Sequence, residues 1–207
     1  PFTFDAANDY SPVWSPDGSS IVWASNRAGV SNLYWKAASG AGEETLLLKS
    51  DHAIFPTDWS RDGLFIIYQQ TDPETRLDVC VLPEPGSGKE KPLPVVRTKA
   101  NETMGTLSPD GRWLAYASDE SGWYEVYVQS FPGGGGKRQV SKGGGNYPRW
   151  RRDGRELFYY SRDGKLMAAP APPGESFEVG APVSLFEFRA GSITFSFAPY
   201  AVTAEGQ

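Results

Sequence analysis

Of the acidic residues that stand directly before a glycine, five recur at one position of a repeated motif: Asp17-Gly18, Asp62-Gly63, Asp110-Gly111, Asp153-Gly154 and Glu205-Gly206. Carboxylates repeated at one position are the raw material of an oxygen-ligated cation site. The spacing points elsewhere. Successive acids lie 45, 48, 43 and 52 residues apart, so each belongs to its own structural unit rather than to a shared site. The surrounding residues supply the alternative. Trp14-Ser15-Pro16-Asp17-Gly18, Trp59-Ser60-Arg61-Asp62-Gly63, Leu107-Ser108-Pro109-Asp110-Gly111 and Trp150-Arg151-Arg152-Asp153-Gly154 are tight turns, in which Asp bonds neighbouring amides and Gly takes a positive φ. We read the acids as turn caps and assign no metal ligand.

Other chemistry is equally sparse. A serine hydrolase needs a nucleophile, a base and an orienting acid. The chain offers one histidine, His52, in the connector Ser50-Asp51-His52-Ala53, and no Gly-x-Ser-x-Gly elbow. No catalytic residue is assigned. The run Gly133-Gly134-Gly135-Gly136 lacks the Lys-Ser/Thr pair and following helix of a phosphate cradle, so it reads as a connector, and no cofactor is expected. The single cysteine, Cys80, excludes an internal disulfide framework and a multi-cysteine zinc site. Its setting, Val79-Cys80-Val81-Leu82, is that of a buried structural thiol.

A net charge of -5 argues against a nucleic-acid partner, which needs a concentrated basic surface. The local exception, Arg149, Arg151, Arg152 and Arg155, reads as a solvated turn. Trp14, Trp59 and Trp150 share one position in three repeats. They could stack bases or sugars, but as residues of equivalent strands they are expected to pack between successive units.

The elements that must carry these residues are strands. Alternating apolar runs bounded by Gly, Pro, Asn and Asp occur about sixteen times, and no stretch keeps a helical period. In the first repeat, Pro12-Val13-Trp14, Ile21 to Ser25, Asn32 to Lys36 and Thr45 to Leu48 follow one another, and the other repeats keep that order. The expected fold is all-β: a β-propeller of four complete four-stranded blades in a partial or open ring. The blades span 11–49, 54–98, 103–141 and 146–187, with 1–10 and 188–207 as parts of neighbouring blades. Phe2-Thr3-Phe4 is expected to be an outer strand, and Ile193 to Phe197 and Tyr200-Ala201-Val202 to open a fifth blade. No apolar run is long enough for a membrane span and no signal-peptide pattern opens the chain. Its abrupt start suggests part of something longer.

The repeated motif, Ser-Pro-Asp-Gly followed by an aliphatic-aromatic strand, Gly and Asn-Leu-Tyr, resembles the propeller repeat of the TolB family, itself distantly similar to WD-type blades. Residues 11–36 and 105–128 match closely, whereas Arg61 and Arg152 stand where that repeat usually has Pro. Tyr124 to Pro132, Gly154 to Tyr159 and Pro199 to Gln207 look like the C-terminal propellers of bacterial serine/threonine kinases. This resemblance implies a non-enzymatic, extracytoplasmic sensor or protein-interaction module. Two alternatives stay open: an accessory propeller of a prolyl-oligopeptidase-like serine peptidase, and a TolB-like periplasmic scaffold. By repeat symmetry the loops leading into the inner strands, with Asn8, Asp9, Asp51, His52, Asn101, Glu102, Asn146 and Tyr147, share a face with the loops between second and third strands, where Trp123 stands. Propellers bind on such loop faces. A protein or peptide is therefore the expected partner, and exposed blade edges allow pairing of two copies.

Overall fold

The computed structural model describes residues 2–89, 91–172, 174, 177–188 and 199–203. They form four antiparallel sheets of four strands each, in sequential order within every sheet. Blade one holds β1 (Asp9–Trp14), β2 (Ser20–Ser25), β3 (Asn32–Ala37) and β4 (Thr45–Leu48). Blade two holds β5 (Ile54–Trp59), β6 (Phe65–Asp72), β7 (Arg76–Pro83) and β8 (Leu93–Val96). Blade three is β9 (Glu102–Leu107), β10 (Trp113–Ser118), β11 (Glu125–Ser130) and β12 (Arg138–Gln139). Blade four is β13 (Gly145–Trp150), β14 (Glu156–Ser161), β15 (Lys165–Pro170) and β16 (Val183–Glu187).

The turns between first and second strands follow from their residues. Gly18, Gly63, Gly111 and Gly154 all have φ between 71 and 76°, a region costly to other residues. Each glycine N–H donates to the carbonyl three residues back, at 2.8 to 2.9 Å. The Ser15, Ser60 and Ser108 hydroxyls donate to the Asp17, Asp62 and Asp110 carboxylates at 2.6 Å. The same acids accept the amides of Ser19, Leu64 and Arg112, and Asp153 accepts that of Arg155. Bonds from Ser15 and then Ser19 hold the Asp17 carboxyl down to about 2. These carboxylates are thus engaged within their own turns.

Period-two alternation explains the blade stack. On β6, Ile66 and Tyr68 face blade one, packing with Val22, Leu33, Cys80 and Leu82. Ile67, between them, faces blade three and meets Leu107, Leu114 and Tyr116. On β10 the roles repeat, with Ala115 packing beside Leu157, Tyr159 and Ala169 of blade four. Middle strands are consequently buried on both faces, while β16 is exposed along its length. Cys80 lies in the first interface, and burial pushes its thiol up to about 12, as befits an inert core residue.

Three expectations need correction. Phe2-Thr3-Phe4 forms no strand; the Phe2 ring instead meets Trp23 edge-on at 5.8 Å. Tyr200-Ala201-Val202 is also outside any strand, and it packs on Phe158, Leu166 and Ala168 at the far side of blade four. Of the three equivalent tryptophans, Trp59 and Trp150 pack at blade interfaces, but Trp14 is 58% exposed. Each such indole packs toward the blade before it, and among the described residues no sheet precedes blade one. Ile193 to Phe197 lies outside the described residues.

Candidate functional site

The innermost strands β1, β5, β9 and β13 line a channel, and each carries an irregularity at the same step. Ser11, Met104 and Tyr147 adopt φ of 52, 56 and 54° there; Pro56, whose ring forbids that angle, holds the place in blade two. Bulges of this kind re-aim the side chains that follow. The next but one residues, Val13, Asp58, Thr106 and Arg149, line the cavities along the channel.

At one end stand the loops leading into the inner strands. They are tied to the end of the second strand, or to the loop that follows it, in the same blade: Asn26 to Asn8, Thr71 to Ala53, Asp119 to Asn101 and Arg162 to Gly144, each through a backbone N–H and carbonyl. They are also tied to the blade before, because Ile54 donates to Ser31 and Gly145 to Tyr124. A buried polar residue opening the third strand braces two of these connectors. Asn32 accepts the Ser50 amide at 2.7 Å, and Glu125 accepts the Gly144 amide at 2.9 Å and the Ser141 hydroxyl.

The sequence-selected residues occupy different environments on this end. Asn8, Asp51 and His52 are exposed. Asp9 is half-buried beside Arg27 at 3.6 Å. Asn101 is committed to Asp119, which accepts both its backbone and side-chain N–H groups at 2.8 and 2.7 Å. Glu102 is fully buried, accepts the Thr98 hydroxyl, and has its carboxyl pushed up by burial; it braces the connector beneath the face rather than presenting itself there.

Trp123, Asn146 and Tyr147 do come together. With Tyr124, Tyr160 and Arg162 they line a pocket of about 260 Å³ between blades three and four. Trp123 is 60% exposed, and the Arg162 guanidinium lies 3.7 Å from its ring centroid, a cation–π stack that fixes both side chains. Gly144 makes this approach fit: its φ is +109°, and a Cβ there would stand 2.6 Å from Cβ of Arg162. Tyr147 is buried, its N–H donates to Asn146 Oδ1 at 2.8 Å, and its carbonyl accepts the Tyr200 hydroxyl at 2.6 Å. Burial pushes the Tyr124 and Tyr147 phenols up to about 12, so both stay neutral at physiological pH. The pocket offers an aromatic wall, one guanidinium and an amide, which suits recognition of a side chain or short peptide.

The opposite end carries the repeated turns, and here sequence reasoning missed residues. Arg61, Arg149 and Arg152 line a cavity of about 600 Å³ with Asp58. The basic cluster, read above as one solvated turn, is in fact divided. Arg151 pairs with Glu156 at 2.8 Å and Asp153 at 3.5 Å, Arg155 is exposed away from the cavity, and Arg149 and the likewise exposed Arg152 line it. The signal available in the sequence was the arginine that replaces proline in the turns of repeats two and four.

No protein-family model matches the chain, and no curated protein matches it in sequence. Solved structures do. TolB from Acinetobacter baumannii superposes with a TM-score of 0.65 at 17% identity over 89% of this chain and 46% of that one. A putative TolB from Agrobacterium tumefaciens gives 0.62 at 16% identity, over 86% and 82%. A puromycin-hydrolyzing peptidase from Mycobacterium tuberculosis gives 0.62 at 16% identity, over 87% of this chain and 31% of the peptidase. The chain thus spans about half the length of the first of these and under a third of the peptidase. At these identities the likeness is one of architecture, and with the four radial sheets it shows the fold: the chain consists of blades of a β-propeller.

Proposed function

We propose that the chain is a non-catalytic propeller module that recognises a protein or peptide, as the extracytoplasmic sensor or interaction portion of a bacterial receptor-type serine/threonine kinase. The observation that carries the binding role is the pocket between blades three and four, where Trp123, Arg162 and Asn146 are presented by loops braced from both blades. Rigid strands holding exposed aromatic and guanidinium groups are the usual make-up of an interaction hot spot. The kinase association rests on the resemblance of residues 124–132, 154–159 and 199–207. The apolar edge of blade four, with Val183, Leu185 and Phe186 exposed, offers a second contact surface, which another copy of the chain would cover.

The peptidase-accessory reading is favoured by the Mycobacterium tuberculosis peptidase, of which a propeller-sized share is matched. One experiment separates the two. The full-length protein that carries this chain is incubated in parallel with radiolabelled ATP and with a fluorophosphonate probe for active serines. Autophosphorylation without probe labelling is the expected result; labelling of an active serine without phosphate incorporation would replace the kinase reading with the peptidase one.

A further inference from the structure

The turn-side mouth of the channel is independent of the loop-face pocket and has its own chemistry. The second residues of the four repeated turns, Pro16, Arg61, Pro109 and Arg152, all border one cavity. Two of these positions carry a guanidinium, and Arg149, from β13, lines the same space. Asp58 is the carboxylate there, and its Oδ2 is already engaged, accepting the Thr106 hydroxyl at 2.8 Å and the Leu107 amide at 2.9 Å.

Most other channel-distant arginines have acidic partners: Arg27, Arg76, Arg97, Arg112 and Arg151 each stand within 3.7 Å of a carboxylate. Among the described residues no ion pair includes Arg61, Arg149 or Arg152. Desolvation first, and Arg152 next, hold the Arg61 guanidinium below its ordinary pKa, against the pull of Asp58. Among the described residues, Arg61, Arg149 and Arg152 thus share one lining with Asp58 as its carboxylate, and the Arg61 and Arg152 charges oppose each other. Such repulsion is relieved by an anion that bridges them.

The walls fit a small ligand. The indole N–H groups of Trp59 and Trp150 are satisfied by the Gly63 and Thr106 carbonyls at 3.2 and 3.3 Å, which leaves ring surface toward the cavity. Its volume is that of a small-molecule site. Guanidinium groups match carboxylate and phosphate oxygens through paired N–H donors, and several acting together favour an ion with more than one charge.

We propose that the turn-side mouth of the channel binds a small multivalent oxyanion, a phosphate or a polycarboxylate, held by Arg61, Arg149 and Arg152. Pyrophosphate and citrate are the two probes, titrated into the chain at constant ionic strength near neutral pH. Tryptophan emission reports through Trp59 and Trp150, and calorimetry gives the affinity. Saturable binding of at least one probe is expected, pyrophosphate alone assigning the phosphate class and citrate alone the polycarboxylate class. The decisive variant combines Arg61→Pro with Arg152→Pro. It gives turns two and four the residue that turns one and three already carry, so the fold is retained, as an unchanged circular dichroism spectrum would verify. Loss of two charge-assisted contacts should weaken binding by at least about tenfold. Arg155→Ala, which removes an exposed arginine outside the cavity, should leave the titration unchanged. If neither anion saturates at millimolar concentration, if the double proline variant binds like the wild type, or if Arg155→Ala weakens binding as strongly, the site is not there.

Discussion

Replacing Leu114 with alanine is expected to destabilise the chain by about 2–5 kcal/mol, the range for truncating a buried leucine whose surroundings relax only partly. Leu114 is fully buried on β10 and faces Ile67, Val79 and Val81 of blade two. Relaxation is restricted from both sides. Gly105, on the neighbouring inner strand, sits so close to blade two that an added Cβ would stand 2.7 Å from Val79 Cγ1 and 2.9 Å from Ile67 Cγ2. The void left by Leu114 is therefore bounded by strands already in contact. Urea unfolding followed by fluorescence measures the loss as a lower midpoint. A change of a few tenths of a kcal/mol would mean that blades two and three do not share this interface.

Glu125→Ala is the second large effect, and it acts through polar groups. The carboxylate is nearly buried and accepts the Ser141 hydroxyl and the Gly144 amide; the Ser141 hydroxyl oxygen in turn accepts the Val126 amide at 2.7 Å. Removing the acid strands a buried O–H and a buried N–H, each costing about 1–3 kcal/mol. Glu125→Gln keeps an acceptor oxygen and should recover part of the loss. The two variants should also differ at the pocket, because the Ser141 to Gly144 connector leads directly into Asn146 and Tyr147. Amide exchange at residues 143–147 should rise in Glu125→Ala more than in Glu125→Gln. Equal exchange in the two would separate the carboxylate from the connector's order.

Much of this architecture was legible because turn chemistry and two-residue alternation are local. Ser-x-Asp-Gly fixes where each first hairpin closes, and the runs around Val22, Ile67, Ala115 and Phe158 then have to be middle strands buried on both faces. The exposed Trp14 was not legible from its own residues, since whether an indole is covered depends on the blade that precedes it. The same holds for Phe2-Thr3-Phe4, whose alternation suits a strand but which packs its first ring on Trp23 instead of joining a ladder.

The loop face was readable by symmetry, its separate roles less so. Nothing in the sequence distinguishes Glu102, buried beneath Thr98, from Asn146, which lines a pocket. The anion site was hidden for a related reason. Arg61 and Arg152 are 91 positions apart, and only the radial arrangement of the blades turns two departures from a proline repeat into guanidiniums that line one cavity. Asp58, Thr106 and Arg149 meet in the same way, one from each of three blades.

The most direct measurement of the binding role begins with panning a random peptide library against the chain, followed by hydrogen exchange mass spectrometry with an enriched peptide. Protection on the segments around Trp123 to Tyr124, Gly144 to Tyr147 and Tyr160 to Arg162, lost in Trp123→Ala, is the predicted result. Failure of any peptide to enrich, protection confined to other surfaces, or full protection retained by Trp123→Ala would contradict recognition at the pocket between blades three and four.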